Sequence, residues 1–461
     1  MSCVARLGGL GGLVRLRTAR PGYDARDPSL DPRLLTFDSA WNNSLRLLGN
    51  GVVASAALAT RVTNYSFFPG WSSGTRTSRV LPFAGNNRLR PTLAWRRLGP
   101  GTIQYKPAGT PLSVSGATKA YQRAYGVCAV TLTGDGILLS PSAAGGEYVY
   151  FVFGNNGSGP EIGGANNGRM GTHPIYGDGL FIARPGYDCM TAALDDMMLS
   201  THRNVFQIHE TGIAFSDRYT GGGSYTTSNW ISSDPFPEYF GVAPSVRAAK
   251  IVDLAGSYPD FPPVIAYSTS TVFQHQCSVF WITPSQFIIA GDVAATAGMR
   301  WAVVATDPAY QGGIDTVHTH RIRMAPDRGL DITKHGVNLP VAGATDYIFR
   351  SRRLTPRLAD FSTILTSTPT GDYPIPSPPP AGAGLPFVFF IVDDQFGHRW
   401  CGCGMVQMQD IVTSSGPSVP FMQSMFRGAV TSRTTYNWYR QSGVSASPFG
   451  WAASMNVSDF S

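Results

Sequence analysis

A hexapeptide occurs twice in this chain and marks the start of related segments. Residues 19–24, Ala-Arg-Pro-Gly-Tyr-Asp, recur without change at residues 183–188, which lie 164 positions further along the 461-residue sequence. Weaker similarity places a third copy at residues 333–338, another 150 positions on. Each copy is followed by an acidic residue, a short apolar run and a serine, at Ser39, Ser200 and Ser351. Internal repeats of this kind indicate structural units in series. We therefore expect three domains, at residues 1–165, 166–325 and 326–461.

Each repeat begins with a segment that predicts a strand, a tight turn and a second strand. Pro-Gly favours a turn because Pro fixes φ at about −65° and Gly accepts positive φ. In the third copy His335 replaces Pro while Gly336 is kept, so the glycine is the more important part of the turn. Two residues later come Asp24, Asp188 and Asn338. Since Asn replaces Asp in one copy, a turn that bonds backbone amides is favoured over a carboxylate ligand or acid.

The strand patterns predict an all-β protein. A Pro followed by β-branched and aromatic residues occurs once per repeat, at residues 91–95, 263–267 and 386–391, as is typical of buried strands. Charged residues make up only 14% of the chain, whereas 52 Gly and 34 Pro predict frequent turns, which argues against long exposed helices. Only a few segments, such as residues 192–199, have helical character. We expect tandem β-sandwich-like domains with long Gly/Pro/Ser-rich loops.

Three stretches have the composition of linkers. Gly- and Asn-rich residues 154–168 separate the first two repeats, and residues 307–313 close the second. Residues 374–380 are rich in Pro and predict a stiff, extended connection within the third domain. Their Pro-x-x-Pro spacing is also a motif that could recruit an SH3-like partner.

Charge, cysteine content and hydropathy exclude several classes of protein. The net charge of +7 comes almost entirely from Arg, with only four Lys, and the basic residues do not gather as on a nucleic-acid-binding surface. Six widely spaced Cys give no disulfide framework and leave the disulfide state open. No apolar run reaches the roughly 18 residues of a membrane span, and Arg15 and Arg17 interrupt the apolar N-terminus. We expect neither a nucleic-acid partner, nor membrane insertion, nor a cleaved signal peptide.

No familiar catalytic or nucleotide-binding motif occurs in a suitable context. Gly221-Gly222-Gly223 lacks the Lys of a phosphate-binding loop. Asp393-Asp394 offers two carboxylates, as glycoside cleavage requires, but adjacent residues of a strand point to opposite faces, so a turn at the strand end is favoured. Cys401 and Cys403 follow His398, yet zinc sites usually combine two such pairs. We predict no enzymatic activity, and no catalytic, cofactor-binding or metal-binding residue.

The repeated segment has a fixed order: Pro-Gly-Tyr-Asp, a further Asp, apolar residues, Ser, an alternating strand and Gly. This order resembles segments of minor tail, tail-tip and fibre proteins of tailed bacteriophages. The resemblance covers the three repeat heads and, loosely, the Pro-apolar strands; the third copy departs from it at His335, Val337 and Asn338. It implies a structural protein of the virion tail, made in the bacterial cytoplasm and assembled with other virion proteins. It further implies a homo-oligomer, with a trimer favoured, and a host cell-surface glycan or protein as a further partner.

Alternatives to this interpretation stay open. A tailspike-like protein that binds or degrades polysaccharide is one, and a head decoration or fibre protein is another. His318 and His320 resemble the His-x-His iron motif of trimeric phage spikes, although those lie near a tapering C-terminus, so no metal is assigned. Aromatic residues in Gly/Ser/Thr-rich surroundings could stack on sugars or anchor a neighbouring subunit, with core packing as the alternative: Tyr65, Phe67, Phe68, Trp71 and residues 436–439.

Overall fold

The structure, a computed structural model, describes most of the repeat heads and many of the later strands. The described residues are 5–10, 13–31, 34–40, 46–54, 79–82, 92–97, 103–104, 127–129, 136–140, 147–154, 167–184, 186–215, 248–258, 262–268, 277–291, 298–313, 320–325, 329–365, 370–374, 387–393, 399–403, 405–412, 421–432, 435–440 and 449–456. We call residues 5–154 the first segment, 167–304 the second and 320–456 the third.

Strands make up nearly all of the regular structure that is described. The first segment contains β1 (Ala5–Leu10), β2 (Leu13–Ala19), β3 (Leu35–Asp38), β4 (Arg46–Ala54), β5 (Arg79–Pro82), β6 (Thr92–Arg97), β7 (Ile103–Gln104), β8 (Val127–Ala129), β9 (Gly136–Ser140) and β10 (Glu147–Gly154). The second contains β11 (Gly168–His173), β12 (Gly177–Ala183), β13 (Met197–Ser200), β14 (Ile208–Ala214), β15 (Ala248–Asp253), β16 (Val264–Ser268), β17 (Cys277–Thr283), β18 (Gln286–Gly291) and β19 (Met299–Val304). The third contains β20 (Ile322–Ala325), β21 (Gly329–Thr333), β22 (Tyr347–Arg350), β23 (Arg357–Leu365), β24 (Thr370–Pro374), β25 (Phe387–Asp393), β26 (Arg399–Cys403), β27 (Met405–Val412), β28 (Phe421–Ser432), β29 (Thr435–Arg440) and β30 (Phe449–Asn456).

The all-β class is therefore confirmed. Helical structure in the described residues is limited to short 3-10 turns, such as Leu194–Asp196 and Leu339–Val341. The candidate helix at residues 192–199 is one such turn followed by β13, since Met197–Ser200 is buried as a strand. The Pro-apolar runs lie in β6, β16 and β25, as the pattern predicts.

The three repeat heads have the same structure. Each is an antiparallel three-stranded sheet, in the orders β1-β2-β3, β11-β12-β13 and β20-β21-β22. Each second strand carries an irregularity at the same place, next to Ala19, Ala183 and Thr333. The turn that follows holds a glycine with positive φ in every copy, at Gly22 (93°), Gly186 (86°) and Gly336 (76°). Only glycine adopts this backbone without strain, which explains why it is kept where Pro is lost.

A hydroxyl bond closes each head in the same way. The backbone N–H groups of Leu16, Leu180 and Leu330 donate to the hydroxyls of Ser39, Thr201 and Ser351, at 3.0, 3.3 and 3.0 Å. In return the backbone N–H of each hydroxyl residue donates to the carbonyl of the same leucine. Thr201, one residue beyond Ser200, is thus the structural counterpart of Ser39 and Ser351.

The strands after each head also pair in a repeated order. In each segment the last strand lies between the first and the third of the strands that follow the head, in the orders β4-β10-β6, β14-β19-β16 and β23-β30-β25. A second antiparallel set contains the second strand after the head and the two strands that precede the last one, in the orders β5-β9-β8, β15-β18-β17 and β24-β29-β28. Among the described strands the repeat therefore extends to the last strand of each segment, well beyond the hexapeptide.

In the second segment one hydrophobic cluster joins both strand sets. It contains Ala214, Val252, Tyr258, Val264, Phe287, Ile289, Met299, Trp301 and Val303, which come from β14, β16 and β19 on one side and from β15 and β18, with the loop after β15, on the other. Phe287 and Trp301 meet edge to face with ring centroids 5.5 Å apart. Aromatic pairs favour this geometry, so it fixes how the two strand sets face each other.

Some strand pairs cross from one segment to another. β7 of the first segment pairs with β17 of the second, and β26 of the third meets β8 of the first at Trp400 and Ala129. β20 precedes the predicted 325/326 boundary but pairs with β21, which follows it. No helix in the described residues is both long and apolar enough to cross a membrane.

Candidate interaction surface at the three heads

All three heads pack on one hydrophobic cluster, which we call the shared core. It contains Ala5, Leu16 and Phe37 from the first head, Leu180, Ile182, Met198, Leu199 and the nearby Val205 from the second, and Leu330, Ile332, Ile348 and Phe349 from the third. The leucine of the hydroxyl bond is fully buried here in every copy, at 0–1% exposure. Phe37 and Phe349, from different heads, meet edge to face at 5.6 Å. Heads that are far apart in sequence thus form a single packed centre.

Polar contacts tie the heads together around this core. The buried guanidinium of Arg321 donates to the carbonyl of Thr201 at 2.7 Å, which joins the third head to the second. The backbone N–H of Thr355 donates to the carbonyl of Thr36 at 3.2 Å, which joins the third segment to the first head. Gln207 accepts from the N–H of Arg350 at 2.8 Å and so links the second segment to the third head.

Residues 305–313, which we call the connector, are bonded to all three segments. Asn50 of β4 donates to the carbonyls of Pro308 and Tyr310, both at 2.8 Å. From the second segment Asn204 donates to the carbonyl of Asp307 at 2.6 Å, and from the third Lys334 forms an ion pair with the Asp307 carboxylate. The predicted linker at residues 307–313 is therefore an integral part of the assembly of segments.

Replacing Asn50 should loosen the connector from the first segment. Asn50→Ala removes both bonds to Pro308 and Tyr310 from a side chain that is only 7% exposed, and we expect a loss of about 2 kcal/mol in the free energy of unfolding. Urea denaturation of the purified chain measures this loss. Gln311→Ala is the matched control, because it removes from an exposed residue an amide that donates to the Asn50 carbonyl of the same strand at 2.9 Å. Equal effects of the two variants would contradict the central role of Asn50.

The edge strand of each head carries the same pair of exposed or half-buried residues. They are Arg6-Leu7 in β1, Arg169-Met170 in β11 and Arg323-Met324 in β20. In the strand pairing Leu7, Met170 and Met324 stand opposite Leu16, Leu180 and Leu330, the three leucines of the shared core. Met170 is nevertheless 59% exposed and Met324 39% exposed, while Leu7 is half-buried. We call Leu7, Met170 and Met324 the rim of the shared core.

This edge-strand motif is absent from our sequence-based expectations. Its signal is Arg-Leu-Gly, Arg-Met-Gly and Arg-Met-Ala, at residues 6–8, 169–171 and 323–325. The hairpin that follows differs in length between copies, since Leu7 and Leu16 are nine residues apart, Met170 and Leu180 ten, and Met324 and Leu330 six. An ungapped comparison with the hexapeptide therefore misses the match.

The polar residues at the turns have structural roles. Oδ1 of Asp24 accepts from the N–H of Arg26, and Oδ1 of Asp188 accepts from the N–H of Met190, both at 2.8 Å, as the turn-bonding interpretation predicts. Asn338 instead accepts from the N–H of His320 at 3.0 Å, just before β20. In the third head this side chain therefore holds the edge strand.

Most other residues singled out in the sequence lie where no side chain is described. His318, Asp394, His398, residues 65–71 and 221–223 and most of 374–380 fall outside the described residues. His320 is exposed. Asp393 and Cys401 to Cys403 lie in the paired strands β25 and β26, and residues 436–439 lie in β29. Within the described part of the chain, no group of three or more His, Cys, Asp or Glu side chains could hold a metal ion.

Four ionisable residues meet at the junction between β14 and the third head: Arg353 and Tyr258 are buried, and His209 and Glu210 are half-buried. Burial, reinforced by Arg353 and Arg350, lowers the pKa of His209 to about 2. Burial and the neighbouring Arg350 lower the pKa of Arg353 to about 10. Burial and a hydrogen bond to Glu210 raise the pKa of Tyr258, whose ring lies 4.4 Å from that of His209. Arg350, Arg353 and the loss of hydration thus all act against the protonated form of His209. A further imidazole cation would be unfavourable there.

Stability should therefore fall in mild acid. The unfolded chain binds a proton at His209 near the ordinary pKa of 6.5, whereas the folded chain does so only at about 2, so unfolding takes up a proton between these values. We expect a loss of about 1 kcal/mol between pH 7 and pH 5.5, measured by urea denaturation. His209→Gln should remove that share of the pH dependence. An unchanged slope in this variant would show that other groups cause it.

Cys189 is the one cysteine whose side chain is described, and it is a buried free thiol. Burial and the nearby Asp188 carboxylate raise the pKa of this thiol. It packs with Phe181, Ala183, Ala192 and Met197, so it serves as a small apolar residue of the second head.

Comparison with family models, with curated proteins and with solved structures finds no match.

Proposed function

We propose that this chain is a structural component of a tailed-phage virion, located in the tail, the tail tip or an associated fibre. The observation that carries the proposal is that the three heads that bear the phage-tail-like segment also build one shared core. The leucine, the turn glycine and the hydroxyl bond of this segment recur three times, and the three leucines meet in one cluster, which supports a structural role. Within that segment Asp24 and Asp188 accept hydrogen bonds from backbone N–H groups, and Arg184 forms an ion pair with Asp196.

We further propose that each segment is a β-sandwich-like domain and that the three domains stand in series, close to the divisions at residues 165/166 and 325/326. The repeated pairing order supports this, and so does the cluster of the second segment that joins its two strand sets. Two facing antiparallel sheets with crossing connections are an architecture of both viral coat and lectin domains. Because β20 pairs with β21, we place the third domain's start before residue 322.

The proposed partners are neighbouring virion proteins and, at the host, a surface glycan or protein. Synthesis takes place in the bacterial cytoplasm, with no nucleic-acid partner, cofactor or enzymatic activity. The expected homo-oligomer, favoured as a trimer, stays a prediction. The native mass of the purified chain tests it, since one copy weighs 49.5 kDa.

Immunogold electron microscopy tests the virion assignment. Antibody to the purified chain should label particles released by a host that carries the gene, and label them at the tail. Particles produced with the gene deleted are the control and should show no label. Intact, infectious particles that contain none of the chain would refute the proposal.

A polysaccharide-binding or polysaccharide-degrading role is the second candidate, favoured by the proposed two-sheet architecture, which also occurs in lectin domains. Incubation of the purified chain with host capsule or lipopolysaccharide distinguishes the two. Retention on the polysaccharide would support a binding role. Release of oligosaccharide would establish an enzyme and contradict the purely structural proposal.

A further inference from the structure

The third strands of the three heads closely resemble one another. β3, β13 and β22 each contain four residues, and each is followed by the hydroxyl residue that bonds the buried leucine of its head. These strands also lie near one another, since Phe37 of β3 contacts Phe349 of β22 and β2 lies close to β21. The features that the heads share therefore do not determine which third strand pairs with which second strand.

One cross-strand pair differs from head to head. The residue after the buried leucine stands opposite the residue before the hydroxyl residue, and these pairs, which we call the facing pairs, are Arg17 with Asp38, Phe181 with Ser200, and Asp331 with Arg350. In the first head the positive charge is on the second strand, in the third head it is on the third strand, and the pair of the second head is uncharged. Only Arg350 is half-buried; the other five residues are buried.

Both charged facing pairs are ion pairs. Asp38 and Arg17 approach to 3.2 Å, and Asp331 and Arg350 approach to 3.4 Å. Phe181 of the second head packs instead with apolar side chains of its own head. A buried charge is strongly destabilising once its partner is removed. Each head thus satisfies its buried charges only when its own second and third strands are combined.

Exchanged third strands would bring like charges together. With β22 beside β2, Arg17 would face Arg350, and with β3 beside β21, Asp331 would face Asp38. A combination of a charged strand with a strand of the second head would place a charge opposite an uncharged residue. Every non-native combination therefore contains two like charges or a charge without its facing partner, and both are unfavourable in a buried position.

We propose that the facing pairs determine the specificity of strand pairing in the heads. They assign each third strand to its own second strand, so that every head is built from consecutive strands of the chain. Three related heads can thereby share one core without exchanging strands. This inference goes beyond the proposed function and does not depend on it, because it concerns pairing within the chain.

Transfer of the facing pairs between heads tests the inference. Arg17→Asp with Asp38→Arg gives the first head the pair of the third, and Asp331→Arg with Arg350→Asp does the reverse. Each of these double variants keeps an ion pair in both charged heads, but the two charged second strands then carry the same residue, so exchange meets no like charge. The quadruple variant, which combines both transfers, keeps the ion pairs and restores the difference between the heads.

The transferred pairs meet similar neighbours, because an arginine of the edge strand, Arg6 or Arg323, stands opposite the second-strand residue in both heads. Each purified full-length variant is unfolded in urea and refolded by dilution under reducing conditions. Size-exclusion chromatography and hydrogen exchange then measure the native yield. This yield is the fraction that elutes like the wild-type chain and shows wild-type protection in β2 and β21.

We expect each double variant to give roughly threefold less native chain than the quadruple variant, although the quadruple variant contains all of its substitutions. A role in stability alone predicts the opposite order, because four substitutions disturb more contacts than two. A quadruple variant that refolds no better than the double variants, or double variants that refold as well as the wild-type chain, would overturn the inference. Neither outcome affects the virion assignment, which antibody labelling tests separately.

Discussion

Leu180→Ala should destabilise all three heads at once, by about 3 kcal/mol in the free energy of unfolding. Leu180 is 1% exposed in the shared core, where it packs with residues of the first and third heads. The substitution leaves a cavity that no single head can close, because its walls come from three parts of the chain. Hydrogen exchange followed by mass spectrometry should show faster exchange in β2 and β21 as well as in β12.

Met170→Ala is the matched control for this experiment. Met170 stands directly opposite Leu180 in the strand pairing but is 59% exposed, so we expect a change of less than about 0.5 kcal/mol. If Leu180→Ala accelerated exchange only in the second head, the three heads would be independent units and the shared core would have no cooperative role.

Gly312→Ala should lower the free energy of unfolding by a similar amount, about 3 kcal/mol, through a different mechanism. Gly312 lies in the connector with φ at 91°, and a Cβ there would stand 2.2 Å from the carbonyl oxygen of His202. The alanine therefore adds a collision with backbone to the cost of the left-handed conformation. Relief would require the connector to move, yet His202 also bonds the carbonyl of Gly313 at 2.7 Å. Urea denaturation measures the loss.

Gly336→Ala separates the two contributions. Gly336 has a similar φ of 76°, but nothing lies within 4 Å of the Cβ position. This variant should cost only about 1 to 2 kcal/mol, the cost of the left-handed backbone. Equal losses at both positions would mean that the collision at Gly312 is relieved by a small shift, contrary to our expectation.

The local structure of the heads could be predicted from the sequence because it depends on neighbouring residues. Pro-Gly predicts the turn, the polar residue two positions later predicts the amide bond, and both are found at Asp24 and Asp188. The sequence pattern aligns Ser200 with Ser39 and Ser351, whereas Thr201 takes this role in the structure. The two residues are adjacent and both carry a hydroxyl, so the pattern does not distinguish them. Only the strand register shows which hydroxyl meets Leu180.

The candidate surface could not be predicted in the same way, because it depends on contacts between distant residues. That Leu16, Leu180 and Leu330 share one cluster follows from packing between heads, and no local pattern encodes it. The same holds for Asn50, which reaches a connector about 260 residues later. The arginines of the edge strands can be found from the sequence, but only by an alignment of the repeats that allows hairpins of different length.

The shared core also has a consequence for biosynthesis. Leu330 and Phe349 enter it from the third head, so a ribosome that has completed only the first two heads has produced a chain with an unfilled apolar centre. Nascent chains and premature termination products that end before this point present Leu16 and Leu180 to water, and exposed apolar surface of this kind promotes aggregation. The shared core can consequently close only after the third head has been synthesised, and fragments that lack this head are expected to aggregate more readily than the full chain.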